Sequence, residues 1–497
     1  MNASTILSEH VVPFLRGVGT GLLLSAAAVL VIAVIVILIR TLRFRPEKVE
    51  KKSADAVSFD RDRAVEGLAA LVRCKTVSNR DTTKEDDSEF EKLVSLLPTL
   101  YPTLMSAATL TRFDGRALLY RWRGKSAAEP SVLMAHYDVV PADEKFWEKP
   151  PFSGVLEDGV LWGRGTLDTK VTMNAALFAA DTLAAEGFVP ENDVYFAFSG
   201  GEEINGEGAL NIVSYFEKEG IVPGIVLDEG GAVVKDVFPG VTAACGMIGI
   251  AEKGMLNLEF SVTSGGGHAS APKPHTPVVE LSRACCDMEK NPFKVHHTPP
   301  VAKMFDTLAR RSTFLYRMIF ANLWCFTGLL DLICRKTGGE LNAMMRTTVA
   351  FTQMQGSPAP NVIPPTAKMV ANLRLNHEDT VESALAYARS VVKNDRVTVT
   401  AAQGMNPSRI SRVDVPAFEK IKCAVEETWQ GTIVTPYLMV QCSDSRHWGR
   451  ISDRVYRFSA MDLTAEERAT IHGNNERIRV ETVGRAAEFY IRLIKQL

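Results

Sequence analysis

Apolar runs that break off at a histidine or a carboxylate recur along this chain, with helix-like stretches between them. Ser131–Met134 (SVLM) leads into His136 and Asp138, Asp193–Phe198 into the adjacent pair Glu202 and Glu203, and Gly224–Leu227 into Asp228. The short strand and turn Gly159–Gly165 delivers Asp168, and His472 opens a loop beyond the strand Val455–Phe458. Lys170–Glu186 and Gly206–Glu219 read as the helices that return the chain between strands. Strands alternating with helices predict an α/β fold with a largely parallel sheet, and such a sheet gathers polar side chains at the carboxyl ends of its strands.

At 497 residues the chain is too long for one ordinary core. Ser58 to about Leu104 reads as helical, and Ala117–Trp122 as a further strand. From about Ala251 the texture changes. Gly254–Thr263 alternates like a half-exposed strand, Val278–Glu289 and Val381–Lys393 read as helices, and Ala350–Gln355, Lys368–Leu375 and Val397–Ala401 as strands. That predicts a small α+β, ferredoxin-like unit over 251–402 with an antiparallel sheet, inserted between two parts of one α/β domain at 53–250 and 403–497. Within it, Phe314–Cys334 is unusually apolar but interrupted by Arg317 and Asp331, which predicts an amphipathic helix, buried or touching lipid, rather than a membrane span.

Residues 1–52 are a separate matter. Gly17 to Ile39 carries no charge and, as a helix at ~1.5 Å per residue, covers the ~30 Å hydrocarbon core of a bilayer. A cleavable signal peptide is the rival reading. The length of the run and the bulky, basic residues after it favour an uncleaved single-pass anchor. Arg40, Arg43, Arg45, Lys48, Lys51 and Lys52 follow the run and Arg16 stands almost alone before it, so the positive-inside rule places the bulk of the chain in the cytoplasm. The eight cysteines are scattered without a CxxC pair, which fits free thiols, and a net charge of −2 gives no footprint for nucleic acid.

His136, Asp138, Asp168, Glu202, Glu203, Asp228 and His472 are far apart in sequence but stand at one structural level. Mixed imidazole and carboxylate donors suit Zn²⁺ and related first-row metals. A bridging carboxylate would suit two cations ~3.5–4 Å apart, and two cations would relieve the repulsion of so many acids.

AHYDVVP at Ala135–Pro141, GRGTLDTK at Gly163–Lys170, SGGEE at Ser199–Glu203, LDEG at Leu227–Gly230, GHASAP at Gly267–Pro272 and NVIP at Asn361–Pro364 resemble, in order and spacing, the M20 family of dinuclear zinc metallopeptidases. The likeness runs over roughly Ser58–Leu497. SDSRH at Ser443–His447 and IHGNNERI at Ile471–Ile478 are most similar to the carboxypeptidase S and N-fatty-acyl-amino-acid hydrolase branch. The resemblance implies two Zn²⁺ ions, with Co²⁺ or Mn²⁺ as alternatives. His136 and Asp228 would hold one and Glu203 and His472 the other, with Asp168 bridging and a cis peptide after it. Asp138 would orient His136, and Glu202 would act as general base and acid.

The resemblance further implies that the inserted unit serves as lid and dimerisation domain. His268 would reach an oxyanion across a homodimer, and Asn361 and Arg374 would contact the substrate. The implied activity is hydrolysis of the amide next to a free C-terminal amino acid, from a peptide or an N-acyl amino acid. One departure is Gln441-Cys442-Ser443, where the branch pattern has Gly-Asn-Thr. Members of the branch are secreted or lumenal, opposite to the side the basic flank indicates. Two other readings stay open: a catalytically silent membrane-anchored binding module, although no ligand or base is missing, and an amidohydrolase of amides that lack a carboxylate.

Overall fold

A computed structural model describes residues 12–46 and 54–497; Lys48, Lys51 and Lys52 of the basic flank lie outside them. Asn192–Ser199, Ser126–His136, Ile225–Val234 and Val455–Leu463 lie side by side and parallel within an eight-stranded sheet. Ala108–Phe113 and Ala117–Trp122 extend one edge antiparallel, and Cys245–Glu252 and Ile433–Met439 extend the other. The fold is therefore α/β with a mixed sheet. Those last two strands are apolar without alternation, as expected of strands covered on both faces, and period-2 patterning does not reveal them.

Lys170–Ala185 is buried on nearly every side, so its small residues are a packing requirement: it lies against Arg61–Val72 and Val480–Ile494. The Lys170 ammonium, itself buried, donates to the carbonyls of Leu71 and Cys74 at the end of Arg61–Val72, at 3.0 and 2.7 Å.

A separate four-stranded antiparallel sheet runs in the order Thr348–Gln355, Thr366–Leu375, Gly254–Thr263, Thr398–Met405. Gly254–Thr263 alternates buried and half-buried residues. Its inward Leu256, Leu258 and Phe260 pack with Leu281 and Ala384 from the helices Pro277–Lys290 and Val381–Val392.

The helix Val12–Arg43 belongs to a second compact unit, together with Phe238–Val241 and Phe305–Ile333. Leu23–Arg43 is the one helix among the described residues that is long and apolar enough to cross a membrane. Phe314–Cys334 is not the single helix its apolar content predicts. It divides into Phe314–Ala321 and Leu323–Thr337, which meet at 112° where Asn322 leaves helical geometry. Phe238, Phe305 and Phe320 form the aromatic centre of this unit, with ring centroids 4.7–5.8 Å apart.

Candidate metal centre

His136 ends its parallel strand, Glu202 and Glu203 begin a short turn of helix after theirs, and Asp168 precedes the helix Lys170–Ala185. All four reach one place. Asp168 stands between two histidines: its Oδ1 is 2.9 Å from His136 Nε2 and its Oδ2 is 2.9 Å from His472 Nε2. Glu203 Oε2 lies 3.1 Å from His472 Nε2, and Glu229 Oε1 lies 3.3 Å from His136 Nε2. The arrangement is two-sided, with one carboxylate facing both imidazoles. The peptide bond Asp168–Thr169 is cis.

Asp228 is not part of this group, in contrast to the expectation from LDEG. Its carboxylate accepts from the amides of Ser445 and Glu229, both at 2.9 Å. The strand does not end at Asp228 but continues to Val234 through an irregular register, in which Arg457 pairs Asp228 and the next residue, Phe458, pairs Gly231. Extra residues in one strand reset which side chains face which way. Gly231 fits there because a Cβ would stand 1.7 Å from the Met247 carbonyl oxygen. The shift gives Glu229, not Asp228, to His136.

Asp138 organises the opposite side. Its carboxylate accepts from Ser78 Oγ at 2.7 Å and from the amides of Glu202 and Glu203 at 3.1 and 3.2 Å, which fixes the acidic pair. His136 Nδ1 faces the Asp138 main-chain oxygen at 3.0 Å and its carboxylate at 3.4 Å. With Nδ1 protonated toward those oxygens, Nε2 presents its lone pair to the cluster.

Glu476, within IHGNNERI, holds the Asp168 loop. Its buried carboxylate accepts from the amides of Gly165, Leu167 and Asp168 at 2.7–3.2 Å and pairs with Arg164 at 2.6 Å. Arg164 also donates to the Gly473 carbonyl at 2.7 Å, beside His472. One buried ion pair thereby positions both Asp168 and the loop of His472.

Burial pushes the Glu202 carboxyl well above the ordinary range, and the charges of Asp444, Glu229 and Glu203 add to that against the pull of His136. Burial likewise raises Glu229 to about 8. His472 is held up at about 10 by its bonds to Asp168 and Glu203. Burial would raise Asp168 too, but its bonds to His136 and His472 hold it well below the usual carboxylate range. Acids crowded in this way need more positive charge than two imidazoles supply. Glu203 Oε1 is also buried without a hydrogen-bond partner. His136, Asp168 and Glu203 place ligand atoms within 4.8 Å of one another, as do His136, Glu202 and Glu229. Nitrogen and carboxylate donors in this ratio fit Zn²⁺ or a related cation.

The cluster opens into a cavity of about 610 Å³ lined by Asp168, Glu202, Glu229 and His472. His268 and Asn361 do not line it. They lie exposed on the two-stranded ribbon of Gly267–His268 with Val362–Ile363 and its preceding turn. Arg374 makes no ion pair with a carboxylate among the described residues; it donates to Cys442 Sγ at 3.4 Å, and Cys442 does line the cavity. Asp444, the acid of SDSRH, adds a carboxylate that no strand-end pattern marks. It is buried beside Glu202, and burial raises it to about 6.

A probable carboxypeptidase S-like protein of Dictyostelium discoideum is 31% identical over 93% of this chain and 91% of its own length. The N-fatty-acyl-amino acid synthase/hydrolase PM20D1 of Xenopus tropicalis is 32% identical over 97% and 96%. Among solved structures, an M20 family metallo-carboxypeptidase from Sulfolobus solfataricus shares the fold at a TM-score of 0.65, with 17% identity, over 87% of this chain and 98% of that one. Peptidase family M20/M25/M40 matches residues 132–496, from the strand that carries His136 to the closing helix, and this chain belongs to that metal-dependent family.

Proposed function

We propose that the chain hydrolyses the amide bond next to a free C-terminal amino acid, using two Zn²⁺ ions, one held by His136, Asp168 and Glu229 and one by Asp168, Glu203 and His472. The observation that carries this reading is Asp168, with one carboxylate oxygen at each of two histidines. When bound, such ions supply a water of pKa near ~7 and polarise the scissile carbonyl. Glu202 has its backbone fixed by Asp138 and a carboxyl that burial makes basic. It takes the proton of the attacking water and returns it to the leaving amine. The same residues serve the reverse condensation at high acid and amine.

The free carboxylate of the substrate has a counter-charge in Arg374, whose guanidinium fork suits it. Lys253 lies near Arg374 in the same corner beside Cys442, and burial with the Arg374 charge lowers its own pKa, so Arg374 is the lasting positive charge there. Val234, Val237, Met247, Met304, Met344 and Leu463 give the cavity an apolar wall, beside the polar Glu340, Gln441, Ser459 and Arg468, and that wall favours an apolar or fatty acyl group. Residues 251–402 act as lid and dimerisation domain on the α/β domain of 53–250 and 403–497, with His268 and Asn361 contributed to the site of a second copy. Val12–Arg43 anchors the chain in a membrane as a single pass. Protease protection on intact cells decides between the cytoplasmic side, indicated by the basic flank, and the lumenal side.

The test is a substrate panel on the purified protein with and without Zn²⁺. Long-chain N-acyl amino acids are expected to be cleaved faster than acetylated ones and dipeptides, and their methyl esters more slowly. Equal rates on acid and ester contradict the carboxylate reading, and a metal-free, inert wild type favours a binding module.

A further inference from the structure

The bend at Asn322 is clamped to the end of the N-terminal helix. Arg40, the first cation after the apolar run, donates through Nε and Nη2 to the Ala321 carbonyl at 3.2 and 3.1 Å. Asn322, fully buried, donates to Thr41 Oγ1 at 3.2 Å and to the Ile37 carbonyl at 3.3 Å. Arg310 stacks on Phe44 at 4.4 Å and donates to the Arg45 carbonyl at 3.2 Å. The Asn322 amide and the Ala321 carbonyl are thus used inside this unit. The two helices leave large apolar side chains outward: Leu315, Trp324, Leu329, Leu332 and Ile333 are each 43–60% exposed, with the exposed Arg335 and Lys336 only in the last turn. Large apolar side chains exposed in this number on two short helices mark an interaction surface.

We propose that the bent pair Phe314–Thr337 lies in the boundary layer of the bilayer that holds Val12–Arg43, with Trp324, Leu329, Leu332 and Ile333 among the lipid acyl chains. The inference rests on the reading of Val12–Arg43 as an anchor. Three observations select lipid as the occupant. The patch belongs to the same compact unit as an exposed helix of membrane-spanning length. The clamp engages Ile37–Thr41, where the uncharged run ends, which is the level at which a spanning helix leaves hydrocarbon. The patch mixes aliphatic side chains with Trp324 and Tyr316, residue types that favour that depth. Asn322 explains why the stretch bends instead of crossing: its amide closes on the anchor, and the second helix ends on Arg335 and Lys336, which suit lipid phosphates. The chain is then held by one span and one in-plane hairpin.

Trp324 is 60% exposed, whereas Trp122, Trp147, Trp429 and Trp448 are buried and Trp162 is half-buried, so the Trp324 component is isolated by difference against Trp324→Phe. The full chain and Trp324→Phe are reconstituted into phosphatidylcholine vesicles with bromine on the acyl chains, either near the headgroup or near the chain end, and vesicle flotation is run on the same samples. The expected result is flotation of both proteins, with bromolipid quenching at least twofold stronger in wild type than in Trp324→Phe. Quenching should be greater with the shallow bromine, and the Trp324 component should be insensitive to aqueous acrylamide. Floating protein whose Trp324 is quenched by acrylamide and not by bromolipid overturns the hairpin and leaves the anchor standing. Floating protein whose Trp324 is shielded from both also overturns it, because protein, such as a second copy, then covers the patch. Failure to float overturns the anchor.

Discussion

Glu229 Oε1 lies 3.3 Å from His136 Nε2, while the neighbouring Asp228 turns its carboxylate to the Ser445 amide at 2.9 Å. Two adjacent acids on one strand therefore have different duties. Glu229→Gln is expected to weaken binding of the cation at His136 by at least about tenfold, since a ligand is lost outright. Asp228→Asn acts only through the loop it holds, so the expected change in affinity is smaller and the loss is in stability, about 1–3 kcal/mol for a buried acceptor left poorly matched. Zinc titration and chemical denaturation of both variants separate the two.

Glu476 and Arg164 place Asp168 and His472 without touching a metal. Glu476→Leu leaves Arg164 buried and uncompensated, which costs about 3–5 kcal/mol. Arg164→Met with Glu476→Leu removes both charges and is expected to recover part of that stability. Zinc affinity in the double variant should stay about 10–100-fold below wild type, because the Asp168 amide and the Gly473 carbonyl lose their partners. Thermal denaturation paired with zinc titration reads both effects.

Lys253 is buried with its ammonium donating to the carbonyls of Ala343 and Arg346 at 2.6 and 2.8 Å. Burial, helped by the Arg374 charge, lowers it from 10.5 to about 7. Below pH 7 folded and unfolded chains both hold this proton and the full penalty applies. Between about pH 7 and 10.5 the unfolded chain holds it and the folded chain does not, so stability rises with pH, by an amount on the order of a few kcal/mol. Denaturation midpoints of wild type are expected to climb across that window relative to Lys253→Met. Parallel pH profiles would contradict the shift.

Arg374→Ala is expected to raise KM for substrates with a free carboxylate by about 10–100-fold, the equivalent of ~1.5–3 kcal/mol for a hydrogen bond to a charged group. Methyl esters of the same substrates should be nearly unaffected. Equal losses on acid and ester would show that Arg374 acts through the fold.

His136, Asp168, Glu202, Glu203 and His472 were legible because each follows an apolar run or a glycine turn, and the structure gathers all five. Glu229 was not legible because the register shift at Asp228–Gly231 depends on the neighbouring strand, not on local pattern. Glu476 and Arg164 are separated by most of the chain and carry no periodic signal, so only folding shows their pairing. The same holds for Asn322: one of several polar residues in an apolar stretch, it stands at the break, where Ile37 and Thr41 receive its amide. His268 and Asn361 stand on a ribbon outside the cavity.

The most direct test of the division of labour at the centre is bound zinc per chain, measured together with turnover in wild type, Glu202→Gln and Glu203→Gln. The expected result is two ions in wild type and two in Glu202→Gln, with turnover in the latter reduced by at least about 100-fold. Glu203→Gln should lose one of the two ions. A Glu202→Gln protein that turns over at the wild-type rate, or a wild type that saturates at one ion, would contradict it.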